Sequence, residues 1–329
     1  MDSRVETQNL NDTLSQHTIV LLGAGHTNAH ILRMWRMEPI ADARLVCVSN
    51  MPIATYSGML PGTLAGLYEP REMEIDLVRL CRSVGATLIL DAVTGCDLAE
   101  QKLIFESRPP LTFDALSVGI GSVPDLSMVE GDAALAIKPM QTFLERLDER
   151  AAEAITSSDG PLRFAVIGGG VAGVEIALAL TVWQPSFELS AREVTILDSG
   201  EDIAGGLNAP ARCAARRELG RRGVQMQLGD AVVRVADGGI ALQSGARLPC
   251  DIAILATPAT APALLGEFQS PSPVSGRGVR GGGIPQDARG FLLTDATLRV
   301  LSGAPVFAVG DSGTIDGAWG SARALTAAA

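Results

Sequence analysis

Short apolar runs alternate with segments of helical spacing along most of this chain. The apolar runs cover residues 17–22, 43–48, 86–90 and 113–118 in the first half and 163–167, 193–197, 224–228 and 251–256 in the second. Helical spacing is found at 31–37, 75–82, 139–157 and 211–220. Short apolar runs without polar alternation are typical of buried parallel strands. Their alternation with helices predicts the α/β class.

The chain repeats one plan twice. Each half contains a glycine-rich motif, a helix, a strand, a second helix, a second strand, a small antiparallel insert and a closing strand. The inserts are predicted at 91–106 and 231–242. A segment rich in Pro and Gly, 270–290, then leads to one more strand with an acidic end at 304–311. We therefore expect two Rossmann-like three-layer domains, with the second domain inserted in the first.

A Gly-x-Gly motif begins both halves. The first apolar run ends at Gly23 and Gly25, and the matching run of the second half ends at Gly168 and Gly170, followed by Gly173. In a dinucleotide site the first glycine forms the strand-to-helix turn. The second lets the backbone approach a pyrophosphate at the positive end of the helix. One motif alone is a weak signal, whereas two in register predict a protein that binds two dinucleotides.

Three candidate cofactor-binding positions bear on how each dinucleotide is bound. Asp198 ends the strand after the second motif. A carboxylate there accepts hydrogen bonds from the adenosine ribose and repels a 2′-phosphate, which favours NADH; the alternative is a plain strand-end turn. The matching position of the first half is Ser49, without an acid. Asn28 replaces the expected third glycine of the first motif and should loosen the packing of its helix.

Composition limits the partners and the compartment. The chain has 329 residues with 36 glycines, 47% hydrophobic content and a formal net charge of −11, which argues against nucleic acid or an anionic lipid surface as a partner. Five cysteines without a C-x-x-C motif indicate reduced thiols, and with three histidines no metal site is predicted. The N-terminus carries no signal peptide, and no apolar run approaches the roughly 18 residues that cross a bilayer. We expect a cytoplasmic protein with a disordered tail at 1–16.

Three further motifs follow one another in a familiar order. Residues 168–175 have the form of an NAD(P)H-binding turn, 251–258 that of the closing strand of an NAD domain, and 306–311 end in Gly310 and Asp311. Together they resemble the flavoproteins with two dinucleotide-binding domains, the pyridine nucleotide-disulfide oxidoreductase superfamily. That superfamily includes glutathione reductase and the type II NADH dehydrogenases.

The resemblance implies FAD and NAD(H) as cofactors. It implies an FAD-binding domain in two segments, 17–124 and 289–329, around an NAD(P)H-binding domain at 125–288. It further implies that Asp311 binds the ribitol hydroxyls of FAD. The candidate FAD-binding residues at the ends of the later strands are Gly121, Gly310 and Asp311.

A loop after the second strand has a closer likeness. Residues 56–62 and 65–68 resemble the FAD-containing module that is fused to selenide, water dikinase, although no kinase portion is present here. Pro61 and its glycines either only shape this loop or line the flavin ring. Glu175 follows the second motif. It is placed either to complement the helix dipole or, as the resemblance implies, near the nicotinamide and the flavin.

These observations predict an FAD-dependent NAD(P)H dehydrogenase of the type II kind. NADH would reduce the flavin, which would pass electrons to a quinone or another small acceptor. No protein group is assigned a catalytic role. The alternatives are a catalytically weakened nucleotide-binding or regulatory protein and a sulfide:quinone-type enzyme. The sequence disfavours the latter and excludes a disulfide reductase, because Cys47 lies within a strand and Cys81 is isolated.

The last residues predict the oligomeric state. Only 18 residues follow Asp311 (329 − 311). Residues 318–325 could form a helix facing the flavin, but nothing remains for the segment that relatives use in dimer or membrane contacts. We therefore expect a monomer without stable membrane insertion, whose flavin is more exposed than in relatives.

Overall fold

A computed structural model describes residues 16–131, 133–156, 160–189, 191–236, 238–269 and 283–317. The predicted tail at 1–16, most of the 270–290 connection and the predicted helix at 318–325 therefore lie almost wholly outside the described residues. The α-helices are α1 His26–Trp35, α2 Leu60–Leu64, α3 Leu77–Val84, α4 Phe143–Thr156, α5 Val171–Leu180 and α6 Ala209–Arg221. The 3₁₀ turns are Ser57–Met59, Pro70–Met73, Leu126–Met128, Met140–Thr142, Ala263–Glu267 and Gly310–Ser312.

Strands make up most of the remaining regular structure. The strands before α4 are β1 His17–Leu22, β2 Ala43–Ser49, β3 Ile53–Thr55, β4 Glu74–Asp76, β5 Thr87–Leu90, β6 Val93–Asp97, β7 Lys102–Phe105, β8 Leu111–Thr112, β9 Ala115–Val118, β10 Val123–Pro124 and β11 Leu135–Ala136. Those after α4 are β12 Leu162–Ile167, β13 Arg192–Asp198, β14 Gln225–Leu228, β15 Val232–Ala236, β16 Gly239–Leu242, β17 Arg247–Pro249, β18 Ile252–Leu255, β19 Ala259–Thr260, β20 Phe268–Gln269, β21 Leu292–Thr294, β22 Val306–Ala308 and β23 Gly313–Ile315.

The described residues divide into two compact units. The first unit contains 16–54, 75–123 and the described residues from 260 onward, and the second contains 55–74 and 124–259. This division differs from the expected boundaries in two places. The chain rejoins the first unit at 260, well before 289, because β20 pairs with β6. Residues 55–74 group with the second unit because Leu60 and Leu64 are buried in its core.

The first unit is built on a five-stranded parallel sheet in the order β22-β9-β1-β2-β5. Alternate residues of β1 and β2 face opposite sides, and both sides are buried. On one side Leu21 and Cys47 pack with α1 and α3. On the other side Val20 and Val46 pack with the small sheet β20-β6-β7-β8. The predicted antiparallel insert and the three-layer arrangement are both present.

The second unit repeats this arrangement with the sheet order β11-β18-β12-β13-β14, again parallel throughout. Phe164 and Val166 of β12 face the helices α4, α5 and α6 in one core cluster. Ile167 faces the antiparallel sheet β15-β16-β17 in another. The α/β class with two Rossmann-like units is therefore confirmed. In the part of the chain that the structure describes, no helix is long and apolar enough to cross a membrane.

Helix starts differ from the sequence prediction where local capping decides them. Helix α6 begins at Ala209, two residues before the expected 211, with Pro210 in its first turn. The Asn208 side chain caps it by accepting a hydrogen bond from the amide of Ala211 at 3.0 Å. Helix α4 begins at Phe143, later than 139, after a 3₁₀ turn. Helix α5 begins at Val171, so Glu175 is its fifth residue and lies beyond the first turn, where an acid would complement the helix dipole.

Candidate functional site

The glycine-rich turn of the second unit lies between β12 and α5. Gly168 has a φ of +114°, and its amide donates to the carbonyl of Leu197 at 2.8 Å. A Cβ on Gly168 would lie 2.3 Å from the carbonyl oxygen of Ala256, and one on Gly173 would lie 1.8 Å from that of Gly168. Both contacts are with backbone atoms, which cannot rotate away. These two glycines are therefore required by the fold itself.

Gly170 in the same turn has quite different surroundings. Its φ of −64° and ψ of 177° suit any L residue. A Cβ built there would meet no described atom within 4 Å. Gly170 is also the N-cap residue of α5, and among the described residues no side chain accepts a hydrogen bond from the first amides of that helix. The turn thus leaves open space and free amide donors where a pyrophosphate would lie against it.

The Asp198 carboxylate, at the end of the neighbouring strand β13, forms hydrogen bonds with the glycine turn and the loop beyond it. Its Oδ2 accepts from the amide of Gly169 at 2.5 Å, and its Oδ1 accepts from the amide of Gly200 at 2.7 Å. The carboxylate therefore fixes both the glycine turn and the loop that follows β13. It is half-buried, so it remains open to a ligand on the turn. Glu175 is exposed on α5, one turn further along.

The corresponding turn of the first unit lies between β1 and α1. Gly23 has a φ of +76°, and a Cβ on either Gly23 or Gly25 would lie 2.7 Å from the carbonyl oxygen of Gly119. The Gly25 amide donates to that same oxygen at 3.2 Å. Packing against the end of β9 therefore already explains both glycines. The first motif has the expected shape, but it offers no position like Gly170.

The Asn28 side chain links helix α1 to neighbouring backbone of the first unit by hydrogen bonds. Its side chain is fully buried. Its Nδ2 donates to the carbonyl of Gly23 at 2.8 Å and to that of Ser117 at 3.3 Å, and its Oδ1 accepts from the Ser117 hydroxyl at 2.6 Å. The expectation that Asn28 loosens the helix was wrong, because these bonds join α1 to the turn after β1 and to β9. Its polar atoms face protein groups, which assigns Asn28 to shaping the turn.

The acidic end of the first unit is a small hydrogen-bonded group after β22. Asp311 lies in the turn Gly310–Ser312, and its Oδ2 accepts from the Ser122 hydroxyl at 3.0 Å. The buried Ser312 hydroxyl accepts from the amide of Gly121 at 3.0 Å. Two residues that our sequence analysis did not single out, Ser122 and Ser312, thus orient Asp311. In the sequence, the one feature that could have pointed to these two serines is that each directly follows a candidate residue.

Two other candidates make mainly local contacts. The Ser49 hydroxyl donates to the carbonyl of Met51 at 2.8 Å, which stabilises the turn after β2. Pro61 lies in the first turn of α2. That helix packs against α5 in the second unit, and its Leu60 and Leu64 are buried there. The sequence had assigned the Pro61 loop to the first half.

The cysteines correct one of our statements. All five are free, and Cys213 alone is exposed. Cys81 is not isolated, because it lies with Cys47 in the buried cluster on the α3 side of the first sheet. The neighbouring Cys81 thiol and burial raise the pKa of Cys47, and the neighbouring Cys47 thiol lowers the pKa of Cys81. Burial raises the pKa of Cys96 and of Cys250 to about 12.

We expect one fast-reacting thiol in the native protein. Cys213 is exposed, whereas Cys47 and Cys81 are 0% and 1% exposed, so a soluble aromatic disulfide reagent at pH 8 should modify one thiol quickly and the others only in denaturant. Cys213→Ser should remove the fast phase. A second fast thiol in that variant would show that the buried pair opens to solvent.

The described residues contain no group of three or more His, Cys, Asp or Glu side chains placed to hold a metal ion. Each unit thus contains a glycine turn and an acid near a strand end: Asp198 accepts from the Gly169 amide of its own turn, and Asp311 accepts from the Ser122 hydroxyl. Such groups are suited to bind a dinucleotide.

Comparison with curated proteins finds remote relatives. The chain is 23% identical over 250 residues to the demethylphylloquinone reductase NdbB of Synechocystis sp., covering 73% of this chain and 57% of that protein. It is 28% identical over 170 residues to the ferredoxin–NAD(+) reductase component of the biphenyl dioxygenase system of Paraburkholderia xenovorans, covering 50% and 38%. The chain thus spans about half the length of these two relatives or less.

Solved structures share the fold. NDH2 from Plasmodium falciparum in complex with NADH superposes with a TM-score of 0.75 at 16% identity, covering 91% of this chain and 65% of that one. The water-forming NADH oxidase from Lactobacillus brevis bound to NADH has a TM-score of 0.71 at 19% identity, covering 91% and 63%.

A family model covers nearly the whole sequence. The model for pyridine nucleotide-disulphide oxidoreductases matches residues 17–324, which include both glycine turns, Asp198 and Asp311. The order of these features and the two parallel sheets agree with that match. The chain belongs to the pyridine nucleotide-disulphide oxidoreductase family.

Proposed function

We propose that this chain is an FAD-dependent NAD(P)H oxidoreductase that prefers NADH. Its second unit binds the nicotinamide dinucleotide, and its first unit binds FAD. Bound flavin supplies the redox chemistry, since it accepts hydride from the nicotinamide and passes electrons to a second acceptor. The protein residues bind and orient the two cofactors, and we assign no protein acid or base.

The observation that carries this proposal is the open space at Gly170. Gly168 and Gly173 are explained by close backbone contacts, but nothing described in the protein requires a glycine at Gly170. A backbone that must approach a ligand is the remaining reason for a missing side chain there. The neighbouring amides at the start of α5 point to an anionic ligand, and a pyrophosphate fits both features.

Two acids complete the binding groups within their own units. Asp198 is held by two backbone amides, which leaves its remaining lone pairs for the ribose hydroxyls of NADH. Asp311 is held by the Ser122 hydroxyl, which leaves its other oxygen for the ribitol hydroxyls of FAD. Both carboxylates are half-buried, so a ligand hydroxyl reaches them without a rearrangement of the backbone.

The acceptor is proposed from the relatives. The relative from Synechocystis is named for the reduction of a demethylphylloquinone, which favours a quinone as the second acceptor. The relative from Paraburkholderia is named for ferredoxin, which is the alternative acceptor. Water-soluble quinones and a ferredoxin, each supplied with NADH, distinguish these two by the rate of NADH consumption.

The direct test is the absorbance spectrum of the purified protein under anaerobic conditions. We expect a bound flavin band that NADH bleaches faster than NADPH does. A protein that stays colourless after incubation with FAD would refute the proposal. A coloured protein that NADH does not bleach would instead favour the catalytically weakened, regulatory alternative.

Asp198→Ala should narrow the preference for NADH. The variant loses a charged hydrogen-bond partner of the ribose, which should weaken NADH binding by about 1–2 kcal/mol and remove the repulsion of a 2′-phosphate. Because Asp198 also accepts from the Gly169 amide, Asp198→Asn is the matched variant that keeps an acceptor oxygen. Binding constants for NADH and NADPH measure the effect. An unchanged ratio in both variants would show that Asp198 is only a turn residue.

A further inference from the structure

Asp202, in the loop after β13, forms ion pairs with two arginines of α6. Asp202 Oδ1 lies 2.7 Å from Arg216 Nε, and its Oδ2 lies 3.2 Å from Arg212 Nε. Arg216 Nη2 also donates to the carbonyl of Glu201 at 3.2 Å, and Arg212 Nη1 donates to that of Leu207 at 2.9 Å. One carboxylate therefore holds two guanidinium groups against a single short loop.

The same loop is fastened to the glycine turn. The amide of Ala204 donates to the carbonyl of Gly169 at 2.6 Å, and Ala204 adopts a left-handed φ of 49°, which is uncommon for alanine. Ile203 and Ala204 are fully buried. At its other end the loop is bonded through Gly200 to Asp198. Asp202 and its two arginines therefore belong to the immediate surroundings of the ribose-binding acid.

We propose that Asp202 is a second determinant of the preference for NADH, because it keeps Arg212 and Arg216 paired and away from a 2′-phosphate. This inference rests on the proposed NADH site at Asp198. Arginine is the residue best suited to phosphate, since its planar guanidinium donates two parallel hydrogen bonds. A pair of arginines beside this ribose would otherwise attract NADPH. Asp202 occupies the donors that the phosphate would need.

The electrostatics of the group agree with this role. The Arg216 guanidinium holds the pKa of Asp202 below its ordinary value, so Asp202 is negatively charged at neutral pH. All three side chains are between one third and one half exposed, so the arginines have room to turn toward a ligand once they are released. Exposed ion pairs contribute little to stability, so breaking this group should leave the fold intact.

The test is the binding of NADH and NADPH to the purified, intact protein carrying Asp202→Asn. Asparagine keeps the size and the acceptor oxygen but removes the charge. We expect NADPH affinity to rise about tenfold, the size of one charge-assisted hydrogen bond to phosphate, with NADH affinity nearly unchanged. An unchanged NADPH affinity would overturn the proposal.

Two controls separate the arginines from simple charge repulsion. Glu201→Gln removes one negative charge at the position directly before Asp202. Because the Glu201 carboxylate is in no ion pair among the described residues, NADPH affinity should stay as in the wild type. In the triple variant D202N/R212Q/R216Q the gain should disappear. A gain in Glu201→Gln, or one that persists in the triple variant, would contradict the role of the arginines. If the wild type binds neither nucleotide, the proposed function fails instead.

Discussion

Gly170→Ala should abolish most NADH binding while leaving the protein folded. The added methyl group meets no described protein atom and suits the local φ of −64°, so the free energy of unfolding should hardly change. It would occupy the space where the pyrophosphate approaches the turn. Overpacking of this kind costs about 1–3 kcal/mol, which corresponds to roughly five- to 150-fold weaker binding. Titration with NADH and a thermal melt measure the two effects separately.

Gly173→Ala is the matched variant and should show the opposite result. Its Cβ would lie 1.8 Å from the carbonyl oxygen of Gly168, so α5 would have to move away from its own turn. We expect a loss of about 3 kcal/mol in stability. If Gly170→Ala destabilises the protein as much as Gly173→Ala does, the open space is needed by the fold and the argument for a pyrophosphate fails. Unchanged NADH binding in Gly170→Ala would have the same consequence.

Asp311→Ala should yield a protein that is folded but purifies with little flavin. The variant removes the charged acceptor that we assign to the ribitol hydroxyls, a loss of about 1.5–3 kcal/mol for a hydrogen bond to a charged group. Ser122→Ala should have a smaller effect, since it leaves the carboxylate but frees its orientation. The ratio of flavin to protein absorbance after dialysis is the measurement.

Asp316→Ala is the control for this series. Asp316 is an exposed acid five residues along the same segment (316 − 311), where its backbone amide donates to Thr294. We expect it to keep a full complement of FAD. Full flavin retention in Asp311→Ala would show that the acid after β22 has a structural role alone.

The two sheets could be predicted because their signals are local. Each central strand is a short apolar run that is buried on both faces, and the acid or glycine that ends it is adjacent in sequence, as Asp198 is to β13 and Gly23 to β1. The turn geometry then follows from the glycines themselves. Two copies of one pattern in one chain made the prediction stronger than either copy alone.

Contacts between distant residues could not be predicted in this way. Cys47 and Cys81 are 34 residues apart (81 − 47), and only the packing of α3 on the sheet brings their thiols together. Leu60 comes shortly after the second strand of the first half but is buried in the core of the second unit. Asn28 reads as a defect in a glycine motif until its bonds to Gly23 and Ser117 are seen. In each case a nonlocal contact decides the role of the residue.

The first unit consists of three separate chain segments, so it is completed after the second unit during synthesis. The second unit is complete once residue 259 has been made, whereas β22, which pairs with β9, begins at Val306. At about 5–20 residues per second, the intervening 47 residues (306 − 259) take roughly 2–9 seconds, during which β9 has an unpaired edge. Nascent chains arrested between these points should therefore yield a protease-resistant second unit and a digestible first unit. Protection of both units at that stage would show that the sheet closes without its last strand.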